Sequence, residues 1–420
     1  MMLLDGGKPE NVDPAIAELN ALIPLKPSDL TLHHQLGLAL SRKGDTDGAR
    51  KEWTAAARGN RSYLPPRLAL ASMELAQGKP QAALKVAEEI MAVAPDNPEA
   101  QLLNANCLIR VGRIPEARAI LNRVNTSSPQ NLAVRYQLGV LAIAERKFKQ
   151  AEDIFHQLQE AKPGEIQVIG GLIDAYGGQN QPGKAKQLVE EELKRAPNSQ
   201  ALQGMLAQLS IATGDVGSAI EQYKKMSGAN QKSVELQMRL AEAYLMKSDP
   251  GNAISVLEKA TQTDPKSIPA AMLLAQSYEL AGKNVEAKTA YRRAQALQPD
   301  EPRTLNNLAY LMLETGDSPD EALTLAQRGL QVVRDPGLKA SLTDTVGWAY
   351  LKQKKYDEAV RTLQSLVRVH AKEPTFHYHL GAALYEKGDK QLARTALEAA
   401  LAAKPQSAEE RKIRELLARL

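Results

Sequence analysis

Residues 268–301 read IPAAMLLAQSYELAGKNVEAKTAYRRAQALQPDE, and the reading of this stretch decides the fold. Residues 268–281 space the apolar Leu273, Leu274, Ala275 and Tyr278 along one helical face. Gly282 follows, a residue that takes positive φ at a helix end without a Cβ penalty, and Asn284 stands where a second helix begins. The chain turns back there. Ala287, Ala290, Tyr291, Ala294 and Leu297 then recur at three- and four-residue steps until Pro299, which cannot continue a helix. The stretch is a helix, a turn, a second helix and a second turn.

Its alanine is one rung of a ladder. Ala15, Ala49, Ala83, Ala117, Ala151, Ala185, Ala219, Ala253 and Ala287 are spaced 34 residues apart, and Ala322, Ala359 and Ala393 continue the series after two displaced steps. A small residue suits a position where two antiparallel helices cross closely. Gly44, Gly78, Gly112, Gly214, Gly316 and Gly388 precede the ladder alanine by five or six residues. Pro27, Pro95, Pro129, Pro163, Pro197, Pro265 and Pro405 close the units, and Arg61, Gln231 and Ala371 replace proline in the same slot. Leu36-Gly37, Leu138-Gly139, Val346-Gly347 and Leu380-Gly381 set a bulky residue beside a small one in the first helix, so that large and small residues interlock.

On this register, residues 1–29 are a partial unit, residues 30–301 hold eight regular units, and residues 302–339 form a stretched one. The stretched unit contains Ser318-Pro319-Asp320-Glu321, a capping box with proline at the first helical position, and the extra segment Arg334-Asp335-Pro336-Gly337. Two units occupy residues 340–407, and a capping helix over 408–420 covers the last with Ile413, Leu416, Leu417 and Leu420.

The Leu/Gly pair, a Tyr or Leu three residues on, the ladder alanine, a large residue four after it and the terminal proline resemble the tetratricopeptide repeat family over essentially the whole chain. That resemblance implies an all-α fold, a right-handed α-solenoid of about eleven helix-turn-helix units. The chain departs from the family pattern in its large slots, where Leu, Val or Ala often stands for an aromatic; Trp53, Phe155, Tyr223 and Tyr291 are exceptions.

Composition narrows the function classes. The formal charge is +4 from 53 basic and 49 acidic residues, with no run of five or six like charges, which argues against nucleic acid as a partner. The single cysteine, Cys107, rules out an internal disulfide framework. No stretch approaches the roughly 18 apolar residues of a membrane span. Met1-Met2-Leu3-Leu4 lacks the features of a secretory signal, and the opening within a repeat is what a truncated chain would show. A signal, an anchor or a catalytic domain upstream fits that reading, with an envelope or periplasmic location if a signal was removed and a cytoplasmic one otherwise.

Catalysis has no visible carrier. Gly178-Gln179-Asn180-Gln181-Pro182-Gly183-Lys184-Ala185 approaches a phosphate-binding loop, but Ala185 replaces the Mg²⁺-holding hydroxyl and the preceding segment reads as helix. The string is a glycine-rich turn, and Gly170, Gly171, Gly177 and Gly178 make the fifth unit the expected soft point. His377 and His379 are two apart on a helix and His33 and His34 adjacent, spacings that do not suit joint metal binding; these read as packed or surface histidines. Cys107 reads as a small apolar filler beside Leu103 and Leu108. No cofactor or metal is implied.

Binding has a better case. In the family geometry the second, fifth, ninth and twelfth positions of each unit line the inner surface, here Tyr136, Asp174, Gln208, Met238, Glu242, Met272, Gln276 and Glu279, then Asn306, Tyr310, Asp344, Trp348, Tyr378 and Tyr385. Trp53 occupies a packing slot, whereas Trp348 occupies an inner slot where burial is not expected. Exposed aromatics beside Asn and Asp suit peptide capture. The alternative for this cluster is that Tyr and Trp pad the stretched junction. The Lys and Asn of carboxylate-clamping relatives are matched only by Asn307, which disfavours a chaperone-tail clamp.

Residues 305–310, Asp344 to Trp348 and Tyr378 to Gly381 are similar to the C-terminal region of large bacterial tetratricopeptide proteins, some from exosortase-linked (PEP-CTERM) envelope systems. The whole implies a non-catalytic scaffold for a protein or peptide partner in a bacterial envelope-associated assembly. A recruiting arm of a larger enzyme is the alternative.

Overall fold

The computed structural model describes residues 12–420, and residues 1–11, including the opening Met-Met-Leu-Leu, lie outside the described part. Among the described residues there are twenty-four α-helices and no strand, so the fold is all-α. The chain forms two compact units, one ending at Leu209 and one beginning at Ser210. In the first, Val12–Leu22 precedes the pairs Leu30–Lys43 with Thr46–Gly59, Pro65–Ala76 with Pro80–Val93, Pro98–Arg110 with Ile114–Ser127, Leu132–Ala144 with Phe148–Ala161, and Ile166–Gly178 with Pro182–Arg195. Helix Gln200–Ala212 carries the boundary. In the second, Val216–Ala229 precedes Val234–Met246 with Pro250–Thr263, Ile268–Leu280 with Asn284–Leu297, Pro302–Glu314 with Pro319–Val332, Pro336–Lys352 with Tyr356–Val369, and Pro374–Lys387 with Lys390–Ala402. Helix Ser407–Leu417 ends it.

Short polar side chains start many of these helices by accepting from an otherwise unpaired backbone N–H. Asp45 accepts from Gly48 at 2.9 Å, Asn97 from Ala100 at 2.9 Å and Asp335 from Leu338 at 2.7 Å. Ser318 accepts from Glu321 N–H at 3.4 Å. Asp335 is the cap of a 17-residue first helix, so Pro336 and Gly337 belong to that helix and not to a loop.

Each pair is closed by the same turn. A residue with positive φ is followed by one whose N–H reaches five residues back, as in Lys79 to Glu74 O at 2.9 Å, Lys147 to Ala142 O at 2.8 Å and Lys355 to Tyr350 O at 2.9 Å. Glycine fills the left-handed position at 44, 78, 112, 214, 282, 316 and 388, but Arg146, Asn180, Ser248 and Lys354 hold it elsewhere with φ of 57 to 61°. The turn is therefore imposed by the flanking helices even where the residue resists it.

The ladder alanines mark the crossings: all twelve are at most 4% exposed. Four residues later a large side chain enters the space left by the small residue of its own first helix. A Cβ on Gly139 would lie 2.7 Å from the Phe155 ring, and Leu363 and Leu397 meet Gly347 and Gly381 in the same way. Phe155 also faces the next first helix, where a Cβ on Gly171 would lie 2.5 Å from it, and Gly178 is filled by Phe148. This corrects the expectation of a soft fifth unit. Two of its four glycines are close-approach positions that receive the aromatics of the preceding helix; Gly170 and Gly177 face open space.

Two polar devices fix successive pairs against one another. The residue after the ladder alanine bonds to a group about 27 residues on: Arg50 with Gln77 at 2.8 Å, Arg118 with Glu145 at 2.5 Å, Glu152 with Gln179 at 2.8 Å, and Lys288 with Thr315 at 3.3 Å and Asp317 at 2.6 Å. In addition, the fourth residue of several first helices donates to the carbonyl six residues back, Gln101 to Pro95 at 2.7 Å, Gln203 to Pro197 at 2.9 Å and Gln237 to Gln231 at 2.8 Å, while His377 Nε2 sits 3.0 Å from Ala371 O. The closing slot therefore tolerates Gln231 and Ala371, because the tether uses a carbonyl that every residue has.

The left-handed positions make a test. Ser248→Gly and Lys354→Gly should each stabilise the chain by about 0.5–1 kcal/mol, because a side chain at positive φ costs more than the backbone freedom that glycine adds to the unfolded state. Asn180→Gly should gain less, since asparagine tolerates that conformation. Urea titrations followed by circular dichroism measure the difference.

Candidate functional site

The first helices of the second unit present their inner positions unequally. Met238, Glu242, Met272, Gln276, Glu279, Asn306, Tyr310, Tyr378 and Tyr385 are half-buried. In the first unit Tyr136 is half-buried, and Asp174 and Gln208 are exposed. Asp344 and Trp348 depart from expectation, being 4% and 6% exposed. The indole is buried because the following first helix covers it. His379 stacks on it with ring centroids 4.1 Å apart and 21° between planes, Tyr378 lies at 6.1 Å, and the Lys352 ammonium sits 4.8 Å from the ring centroid.

The polar groups at this junction are paired. His379 Nδ1 lies 2.9 and 2.8 Å from the two Asp344 carboxylate oxygens, with His379 only 1% exposed. Trp348 Nε1 donates to Glu314 at 3.0 Å, and Thr345 Oγ1 donates to Asn306 at 2.9 Å. Glu314 also meets Lys412 of the last helix at 3.1 Å. Burial works against the charged form of Glu314, but Lys412, by hydrogen bond and charge, together with the Trp348 N–H holds its carboxyl below the usual range. Burial, reinforced by the Glu314 and Asp344 charges, pushes the Tyr310 hydroxyl up. The junction is thus a closed stack of aromatics and paired polar groups, and its half-buried rim consists of Asn306, Tyr310, Tyr378 and Tyr385.

Sequence reasoning treated His379 as one of several packed histidines and missed its partner. A signal was present. Asp344 to His379 is one repeat plus one residue, and Asn306 to Thr345 is the same step across the four-residue extension, each joining the fifth position of one repeat unit to the sixth of the next.

Upstream, the inner positions serve their neighbours. Thr304 donates to Met272 Sδ at 3.2 Å, and Tyr291, fully buried, donates to Glu279 at 3.1 Å. Burial raises the Glu279 carboxyl and takes Tyr291 above its ordinary value as well. The loop-like string at 178–185 is the turn between Ile166–Gly178 and Pro182–Arg195, with Ala185 1% exposed and Gln179 bonded to Glu152. Cys107 is fully buried, and burial pushes its thiol up to about 11. No described helix is long and apolar enough to cross a membrane.

Repeated helical pairs, in which a large second-helix side chain fills the space left by a small first-helix residue, define a helical-repeat protein of the kind that serves as an interaction scaffold. One tetratricopeptide repeat family model matches residues 74–138, 142–209, 210–276 and 244–303, and a second matches 347–408, so the chain belongs to the tetratricopeptide repeat family. Among solved structures it is similar to the Cut9–Hcn1 hetero-tetramer of the APC/C, at 14% identity over 98% of this chain and 93% of that one, TM-score 0.46. It is also similar to MamA, at 23% identity over 44% of this chain and 96% of that one, TM-score 0.34, and in a second MamA structure at 22% over 46% and 93%, TM-score 0.36. No curated protein matches it.

Two outcomes follow from the burial. Trp348→Ala should destabilise the chain by about 3–5 kcal/mol, read by urea unfolding with circular dichroism, because it opens a cavity in the stack and strips Glu314 of a donor. Cys107 should resist iodoacetamide at pH 8 in the native chain and react after unfolding in urea. A thiol at about 11 is only about one part in a thousand thiolate at that pH.

Proposed function

We propose that the chain is a non-catalytic scaffold that captures a protein or peptide on the inner face of its last repeats. The contact residues are Asn306, Tyr310, Tyr378 and Tyr385 at the rim, continued upstream by Met238, Glu242, Met272, Gln276 and Glu279. Asp344 and Trp348 belong to the same site as its buried support. One observation carries this reading: half-buried aromatic and amide side chains on the first helices Pro302–Glu314 and Pro374–Lys387 flank the paired stack of Asp344, His379 and Trp348. Rigid aromatics lose little freedom on binding, and amides satisfy an extended or helical backbone. The resemblance of residues 305–310, Asp344 to Trp348 and Tyr378 to Gly381 to large bacterial tetratricopeptide proteins, some of them from envelope systems, supports a bacterial envelope-associated assembly as the setting.

A photo-crosslinking amino acid in place of Tyr385 should trap a discrete partner in source-cell extract, and Tyr310→Ala with Tyr378→Ala should reduce that product at least tenfold while leaving helicity unchanged. An undiminished crosslink in the double variant would overturn the site. Fractionation of source cells tests the setting, with recovery in the soluble cytosolic fraction counting against it.

A further inference from the structure

The last helix, Ser407–Leu417, does more than end the stack. Ile413 is fully buried against Leu397 and Ala400, with Tyr378, Leu416, Leu417 and Leu420 packed around it. One residue earlier, Lys412 reaches Glu314, 98 positions upstream at the end of Pro302–Glu314, two first helices before the one that carries Tyr378. Glu409, Lys412, Ile413 and Leu416 follow the i, i+3, i+4, i+7 spacing of a single helical stripe. Burial pushes both the Tyr310 and Tyr378 hydroxyls up, Glu409 adding to this at each and Glu415 at Tyr378, where Lys412 opposes it. This stripe therefore lies on the rim assigned above to a partner.

Its hold is slight. The helix has eleven residues, Gln406 gives it no side-chain cap, and Lys404 in the preceding link takes φ 59°. The Lys412 side chain is 53% exposed. An isolated helix of this length is marginal in water, so the surface it covers is what keeps it folded.

We infer that helix Ser407–Leu417 is the resident occupant of the face formed by Tyr310, Glu314 and Tyr378, and that the partner this face takes is an amphipathic helix of the same pattern, a Lys or Arg followed by an aliphatic residue, which must displace it. The inference rests on the docking face proposed above. The tether after Ala402 keeps the resident helix at high local concentration, so the face is mostly closed at rest and external helices compete at a disadvantage.

The probe is a dye-labelled synthetic peptide of residues 405–420, read by fluorescence anisotropy on the full chain. Lys412→Glu with Ile413→Asp in the chain should release the resident helix and tighten peptide binding at least tenfold over the unsubstituted chain. A peptide carrying Lys412→Gln should bind the released chain more weakly than the original peptide, and Glu314→Gln in that chain should erase the difference while keeping an acceptor for Trp348. In the unsubstituted chain, amides of residues 410–417 should exchange with deuterium at least tenfold faster than those of Lys390–Ala402, a reading that needs no variant to fold. Equal peptide affinity for released and unsubstituted chains, or exchange in the last helix as slow as in Lys390–Ala402, overturns the inference. If the Tyr385 crosslink persists in either case, the docking face stands and only its resident occupant is lost.

Discussion

The close crossing of two helices at a ladder alanine is the constraint from which the rest follows. A methyl group at that point lets the backbones approach, and the approach leaves room for only one large side chain, four residues on, opposite a glycine or alanine. Phe155 between Gly139 and Gly171 carries this furthest, since one ring sets the distance within its own pair and to the next. Left-handed turns, tethers to the closing carbonyl and 27-residue polar contacts all fall where this spacing puts them. Even Arg146, Ser248 and Lys354 accept an unfavourable φ because the helices on either side leave no alternative.

The fold was legible because it is periodic. Ala287 alone says little, but twelve alanines in register leave one architecture, and the turn glycines and closing prolines fall at fixed offsets from them. What escaped were departures written in one residue against a neighbour a repeat away. Gly171 and Gly178 look like softness when read as composition; their packing against Phe155 and Phe148 shows only when the helices are set side by side. The fourth-position glutamines look like ordinary polar residues until their amides are traced to Pro95, Pro197 and Gln231.

The placement of the candidate residues on their helices was legible, and their depth was misjudged. Its register named Asn306, Tyr310, Asp344, Trp348, Tyr378 and Tyr385, and all sit on the first helices of the last repeats. A register says which way a side chain leaves its helix and nothing of what the next helix brings over it. His379 decides the matter: by pairing with Asp344 and stacking on Trp348 it turns two expected contact residues into a foundation. Removing one member of a buried hydrogen-bonded pair leaves the other without its partner, so the foundation should tolerate substitution less well than the rim.

The 17-residue helix Pro336–Lys352 has four residues more than Ile268–Leu280 or Pro302–Glu314. Four residues turn a helix by about 400°, which returns it to within about 40° of where it began. The extension thus works like an extra revolution of a screw: it lengthens the element while preserving its phase, and Gly347 still meets Leu363 as Gly139 meets Phe155. Two or five added residues would have rotated the buried face toward water. A helix in such a stack can therefore differ in length by whole turns without changing the face it buries.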